Sequence, residues 1–180
     1  MIAVDSTDLI QSVAWISGDY IRSFHGQIPD FSLHEALSQA QSSDLKSDIL
    51  VNKGPGRLTS TRVGCGLAMG LAATDDRACW GIDKGLLLSF WCYLQQGQGT
   101  HEVLWSVDSK HMAMACYNWS CHQVQCIKPA TLLAEVSEPT AFPAEQSATL
   151  MIDLYMHCRR IDALDILSDD PQPVYLRAAV

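Results

Sequence analysis

Charge is scarce in this chain, and what there is leans acidic. Only 18% of the 180 residues are charged, 12 Lys and Arg stand against 20 Asp and Glu, and the formal net charge is -8. The basic residues are scattered, so no patch forms that would hold a phosphate backbone, and nucleic acid is excluded as an expected partner. Long apolar runs are also missing. The densest, Leu86 to Leu94, falls well short of the ~18 residues a membrane span needs. The start Met1-Ile2-Ala3-Val4-Asp5 has no positively charged stretch, so no signal peptide is expected. The expected location is the cytoplasm, with export by a signal-less route as the variant. The sequence contains no Gly-x4-Gly-Lys-Ser/Thr, no Gly-x-Gly-x-x-Gly after a strand, no His-Glu-x-x-His and no Gly-x-Ser-x-Gly. Nucleotide-dependent, zinc-protease and serine-hydrolase chemistry lose their usual carriers, and no cofactor is expected.

What is present is apolar. Hydrophobic residues make up 48%, enough for a packed core in a chain of this length. The expected fold class is α+β: an antiparallel sheet, a three-stranded meander or larger, packed against a central helix and flanking helices. One domain over 1–180 is expected, with a helical part at 1–50, a Gly-rich loop region at 51–74, and a helix, meander and last helix at 75–180.

Leu9, Ile10, Val13, Ile16, Tyr20, Ile21 and Phe24 fall at helical spacing, with His25-Gly26 and then Pro29 as the stop. Ser32-Leu33-His34-Glu35 has capping-box spacing for a second helix through Leu37 to Ala40. Gln41 to Ser47 reads as an exposed polar stretch, Gly54-Pro55-Gly56 as a turn, and Arg57 to Thr61 as a mobile or binding loop. Gly64-Cys65-Gly66 and Gly70 would let backbone approach a ligand or another helix. Asp75 or Asp76 would cap a buried helix carrying Cys79, Ile82, Leu86, Leu87, Phe90, Trp91 and Leu94. Strands are expected over Glu102 to Val107, His111 to Asn118 and His122 to Lys128, joined by short connectors and ended by Pro129. Glu138, Pro139 and Pro143 mark a connector to a final helix with the stripe Met151, Leu154, Tyr155, Cys158, Ile161 and Leu164, and an extended tail follows Asp169.

The cysteines number seven: Cys65, Cys79, Cys92, Cys116, Cys121, Cys126 and Cys158. In a reducing compartment most would serve as small buried hydrophobes. Two short patterns point further. Cys79-Trp80-Gly81-Ile82 would open the central helix, and His111-Met112-Ala113-Met114-Ala115 would open a strand. A thiol at a helix start and an imidazole at a strand start form a nucleophile and base when the fold joins them.

These two patterns, within residues 75–128, resemble papain-like cysteine hydrolases. The resemblance implies a thiol hydrolase acting on an amide: a cysteine peptidase, amidase or glutamine deamidase, with a secreted bacterial effector as one form. It implies Cys79 as nucleophile, His111 as base and backbone N–H groups near Cys79 for the oxyanion. Asn118 or Gln123 would orient the imidazole, although neither stands at the family's motif position. Cys79 and His111 are 32 residues apart, shorter than the family's usual separation. The family's oxyanion-hole Gln is replaced by Thr74-Asp75-Asp76-Arg77. Cys65, flanked by glycines, is the second choice of nucleophile.

Two other classes compete. A non-enzymatic acidic binding module (a cytosolic chaperone, an adaptor or a toxin-neutralising immunity protein) would use Met112, Met114, Trp105 and Trp119 as an apolar contact face for a protein or peptide partner. A zinc-binding domain would use Cys116, Cys121, His122 and Cys126, with His111 nearby. Cys116-x4-Cys121 gives one pair of suitable spacing but no second pair matches it, so no metal ligand is assigned.

Overall fold

The computed structural model describes residues 1–27, 30, 32–43, 47–133, 138–174 and 176. The chain opens with three strands, β1 (Ile2–Asp5), β2 (Ile10–Ser17) and β3 (Tyr20–Gln27), followed by helix α1 (Leu33–Ser43). Next come β4 (Ile49–Gly54), α2 (Leu58–Asp75), β5 (Cys79–Asp83) and α3 (Lys84–Gln96). The meander β6 (Gly99–Ser106), β7 (Met112–Trp119) and β8 (Val124–Leu133) leads to α4 (Ser147–Arg160). The strands form a five-stranded mixed sheet in the order β3-β2-β1-β4-β5 and a three-stranded antiparallel sheet in the order β6-β7-β8. In the larger sheet β4 runs parallel to both β1 and β5, and β1-β2-β3 is antiparallel. The expected α+β class and antiparallel meander stand.

The pleat of the larger sheet sorts its side chains onto two helical layers. Ile2, Val4, Val13 and Trp15 face Leu33, Ala36, Leu37 and Ala40 of α1. Ile49 and Val51 face Cys65, Ala68 and Ala72 of α2. On the other face Ala3, Ala14 and Leu50 join α3, α4 and the smaller sheet through Leu87, Met151, Leu154 and Trp119. A Cβ on Gly85 would come within 2.8 Å of Ala115 Cβ and 3.1 Å of the Trp105 ring. The bare α-carbon thus seats α3 directly on the meander. No helix among the described residues is long and apolar enough to cross a membrane.

Several expectations are corrected. The helix expected over Leu9 to Phe24 is the β2–β3 hairpin, closed by Gly18 and Asp19 with Gly18 at φ +62°. β2 is buried on both faces, so Val13-Ala14-Trp15-Ile16 reads as one apolar run rather than an alternation. Arg57 to Thr61, expected as a loop, runs into the first turn of α2. Asp75 and Asp76 end that helix instead of starting one; Asp76 takes φ 52° and its N–H bonds to the Ala72 carbonyl. Cys79 opens a parallel strand, and the helix begins at Lys84. Pro129 does not end β8, which continues to Leu133. The Ser32 cap is present, its hydroxyl accepting the Glu35 N–H at 3.2 Å. Pro29 and the side chains expected to be exposed from Gln41 to Lys46 lie outside the described residues.

Candidate functional site

The polar centre of the molecule is Asp5, at the C-terminal end of β1 and 5% exposed. One carboxylate oxygen accepts the Thr7 N–H and the Thr7 hydroxyl, each at 2.8 Å. The other accepts the Asn52 amide at 2.9 Å and the Ser147 hydroxyl. Asn52 in turn accepts the Gly54 N–H at 3.0 Å, and the Ser12 hydroxyl oxygen accepts the Ala148 N–H at 3.1 Å. The network ties β1, β2, β4 and the first turn of α4 into one knot. Every strong acceptor position on the carboxylate is filled, which suits a structural anchor and leaves no lone pair for general-base work.

Loops from both sheets close over this knot. The Thr7 carbonyl accepts the Arg57 N–H at 2.9 Å, and the Pro55 carbonyl accepts the Trp105 indole N–H at 2.9 Å. A Cβ on Gly56 would stand 2.6 Å from the Thr7 carbonyl oxygen, so only glycine fits there. Between the loops lies a cavity of about 350 Å³ walled by Asp8, Leu9, Arg57, Ser106, Asp108 and Ala144. Two cavities of about 190 Å³ share walls with it, one carrying Lys84 and the other Pro55 and Gly56. Lys84 is only 4% exposed and ion-paired with Asp8. Asp108 accepts the backbone N–H groups of Lys110 and His111 at 2.8 and 2.9 Å and the His111 ring at 2.8 Å. Those bonds, the Lys110 N–H first and the His111 ring next, hold its carboxyl below the usual carboxylate range.

The four residues singled out for hydrolysis are placed apart from one catalytic geometry. His111 is exposed at the rim of this cleft, its ring engaged by Asp108. Cys79 opens β5 beside Ile49, whereas the other end of β5, Asp83, pairs with Gly54 near the cleft. Four residue-to-residue steps therefore separate the thiol from the cleft end, roughly 13 Å at ~3.3 Å per step. Asn118 lies near the far end of β7, opposite Thr100 and Gln125, so the length of that strand parts it from His111. Cys65, 1% exposed, packs in the α2 cluster against which Cys79 also rests. The structure thus joins the two candidate nucleophiles to each other and neither to the imidazole. Burial pushes the Cys79 thiol up to about 11 and is the leading cause that pushes Cys65 up to about 12. That is the opposite of thiolate activation.

The zinc alternative is corrected as well. Cys116 is buried in β7, while Cys121, His122 and Cys126 are exposed, and Cys126 shares a side-chain hydrogen bond with Tyr117. Among the described residues no group of three His, Cys, Asp or Glu side chains is placed to hold a metal ion. The apolar contact face expected of a binding module does not form: Met112, Trp105 and Trp119 are buried in the core, and Met114 alone of the four is half-buried.

A second surface involves the glycines of α2. Gly64 faces inward, and a Cβ there would overlap the Ser6 hydroxyl. Gly66 and Gly70, one turn apart, have nothing within 4 Å of where a Cβ would stand. They floor a groove of about 210 Å³ between α1 and α2, walled by His34, Leu37, Ser38 and Leu67. The sequence signal was the small-residue run itself; what it lacked was the partition between the glycine that admits Ser6 and the two that face outward.

No family model and no curated protein matches the chain. Solved structures match it over almost their whole length, among them these two. YeaZ from Pseudomonas aeruginosa superposes with a TM-score of 0.72 at 17% identity, covering 97% of this chain and 98% of that one. A structure described as an uncharacterized protein with similarity to peptidase YEAZ from Pseudomonas aeruginosa gives 0.71 at 18% identity, covering 98% of each chain. These neighbours overturn the papain-like resemblance and the thiol-protease reading drawn from it. The chain has the fold of the YeaZ-like proteins; the Cys79 pattern opens β5, and His111 leads directly into β7.

Proposed function

We propose that this chain is a YeaZ/TsaB-type protein serving the t6A modification of tRNA, acting by docking on a partner protein that carries the chemistry. The observation that carries the reading is the end-to-end correspondence with YeaZ, 97% of one chain on 98% of the other. Three features support the division of labour. The buried Asp5 carboxylate is saturated, and the Cys65 and Cys79 thiols are held protonated by burial. A net charge of -8 opposes direct contact with tRNA phosphates, so the RNA is reached through the partner. The groove over Gly66 and Gly70 gives a partner helix a floor without side chains, where close helix packing is sterically open.

The test is the t6A content of bulk tRNA, read by nucleoside mass spectrometry in cells depleted of the chain. Depletion lowers t6A and re-expression restores it. The Cys65→Ala/Cys79→Ala double variant restores it equally. Gly66→Leu, which fills the groove from an open position, does not restore it although it folds by circular dichroism. Unchanged t6A on depletion overturns the function; full rescue by Gly66→Leu overturns the docking groove.

A further inference from the structure

The two sheets have four outer edges, and three are guarded. The outer edge of β5 is bridged by Ser168, with Gly81 N–H to Ser168 O at 2.7 Å and Ser168 N–H to Gly81 O at 3.0 Å. The outer edge of β6 is closed by Thr140, whose N–H bonds to Leu104 O at 2.8 Å while its hydroxyl oxygen accepts the Leu104 N–H at 2.9 Å. The outer edge of β8 carries the exposed pair Lys128-Pro129 in mid-strand, a charge beside a residue with no N–H. These are the devices by which sheets avoid unwanted pairing.

β3 has no bridging segment among the described residues and no proline, and Arg22 is its one formal charge. Among the described residues it pairs only with β2, in an unbroken register from Tyr20 to Gln27, with no proline and no bulge. The two-residue turn fixes which groups point outward. It makes Ser17–Tyr20 the first hydrogen-bonded pair. Tyr20, Arg22, Phe24 and Gly26 then bond to β2, and Ile21, Ser23, His25 and Gln27 turn their N–H and C=O groups to the open side. The side chains are open too: Tyr20 is 77% exposed, Phe24 42% and Ile21 39%.

The charge of this edge differs from that of the molecule. β3 holds Arg22 and no carboxylate, in a chain of net charge -8. A second copy is a poor occupant. Antiparallel pairing sets outward-bonding residues opposite one another, so Ser23 would meet Ser23 or His25 and Arg22 would meet only Phe24 or Gly26, with no carboxylate for it, while two bodies of net charge -8 would repel as like-charged wholes. We propose that the open edge of β3 takes up an extended acidic segment of a partner protein by strand addition, main-chain bonds supplying affinity and Arg22 supplying sign selectivity. This is independent of the t6A reading, because it is measured on the purified chain.

The probe is a fluorescein-labelled ten-residue peptide alternating Glu with Thr and Val, set against the same peptide with Lys for Glu. Fluorescence anisotropy should detect binding of the Glu peptide at least tenfold tighter than the Lys peptide. Ser23→Pro removes an outward donor without touching the β2 ladder and should weaken binding at least tenfold. Arg22→Glu, at an exposed position that leaves the fold intact, should erase the preference for Glu over Lys. Hydrogen exchange at Ile21, Ser23 and His25 should slow on peptide addition. Equal binding of both peptides, no binding, or undiminished binding by Ser23→Pro with Arg22→Glu unaltered would each overturn the proposal. So would a concentration-dependent dimer that protects these amides without peptide.

Discussion

Two glycines two residues apart, on opposite sides of one helix, should respond to the same substitution with opposite sign. Replacing glycine by alanine inside a helix gains about 1 kcal/mol of intrinsic propensity wherever the new methyl fits. At Gly66 it meets nothing within 4 Å, so the gain should appear whole. At Gly64 the methyl would overlap the Ser6 hydroxyl and stand 3.2 Å from Ser6 Cβ. That hydroxyl donates to the Ser60 carbonyl at 2.6 Å and cannot move without breaking the bond. Overpacking costs about 1–3 kcal/mol and the lost hydrogen bond about 1. Set against the propensity gain, Gly64→Ala should be destabilised by about 1–3 kcal/mol. For a chain of this size the melting point should fall by about 4–8 °C for a loss near the middle of that range, and rise by about 2–4 °C for Gly66→Ala. The assay is thermal unfolding by circular dichroism, checked by urea titration. A Ser6→Gly background removes both obstructing atoms, so Gly64→Ala made there should recover about 1–2 kcal/mol of coupling. If Gly64→Ala melts at or above the native chain, the close approach of the β1–β2 turn to α2 is wrong.

Two further outcomes follow from buried titratable groups. His157 is 7% exposed; its Nδ1 accepts from Arg160 at 2.8 Å, so Nε2 carries the hydrogen, with no partner among the described residues, amid the rings of Phe90, Tyr93 and Trp119. Burial first, then the Arg160 charge, holds its pKa below the ordinary value. The unfolded chain gains a proton near pH ~6.5 that the folded chain does not, so this contribution is present above that pH and is lost as pH falls, by at most about 1.4 kcal/mol per pH unit. Urea titrations from pH 7.5 down to 5.5, compared with His157→Gln, should show the native chain losing stability faster; parallel curves would refute the neutral buried imidazole. In alkylation at pH 8 with mass-spectrometric site assignment, exposed Cys121 should react first. Cys65, Cys79 and Cys158, pushed up to about 12, 11 and 12, should react only on unfolding. Rapid labelling of Cys79 in the folded chain would refute the assignment of a structural thiol.

Sequence was legible where burial is one-sided and opaque where it is two-sided. The meander could be read because short polar connectors punctuate it, and α4 because one face is apolar and the other wet. β2 could not, since helices cover both faces of its sheet and the resulting Val13-Ala14-Trp15-Ile16 run fits a helical stripe as well as a strand. The same ambiguity produced the enzyme. Cys79-Trp80-Gly81-Ile82 stands immediately before α3, so an apolar parallel strand and the helix after it fused into one longer helix with a thiol at its head. Once the boundary moves to Lys84, Cys79 goes to the start of β5 and the supposed helix dipole no longer acts on it. Asp5 was invisible for a different reason. Its partners Asn52 and Ser147 stand 47 and 142 residues away, and no local pattern encodes such a meeting. The knot makes sense of the neighbouring sequence all the same. Gly54-Pro55-Gly56 reads locally as a mere turn, yet the Gly54 N–H completes Asn52, and Gly56 lets the Thr7 carbonyl come close. The turn residues serve the buried carboxylate, so Asn52→Leu should disorder the Gly54–Arg57 loop before it loosens the apolar core.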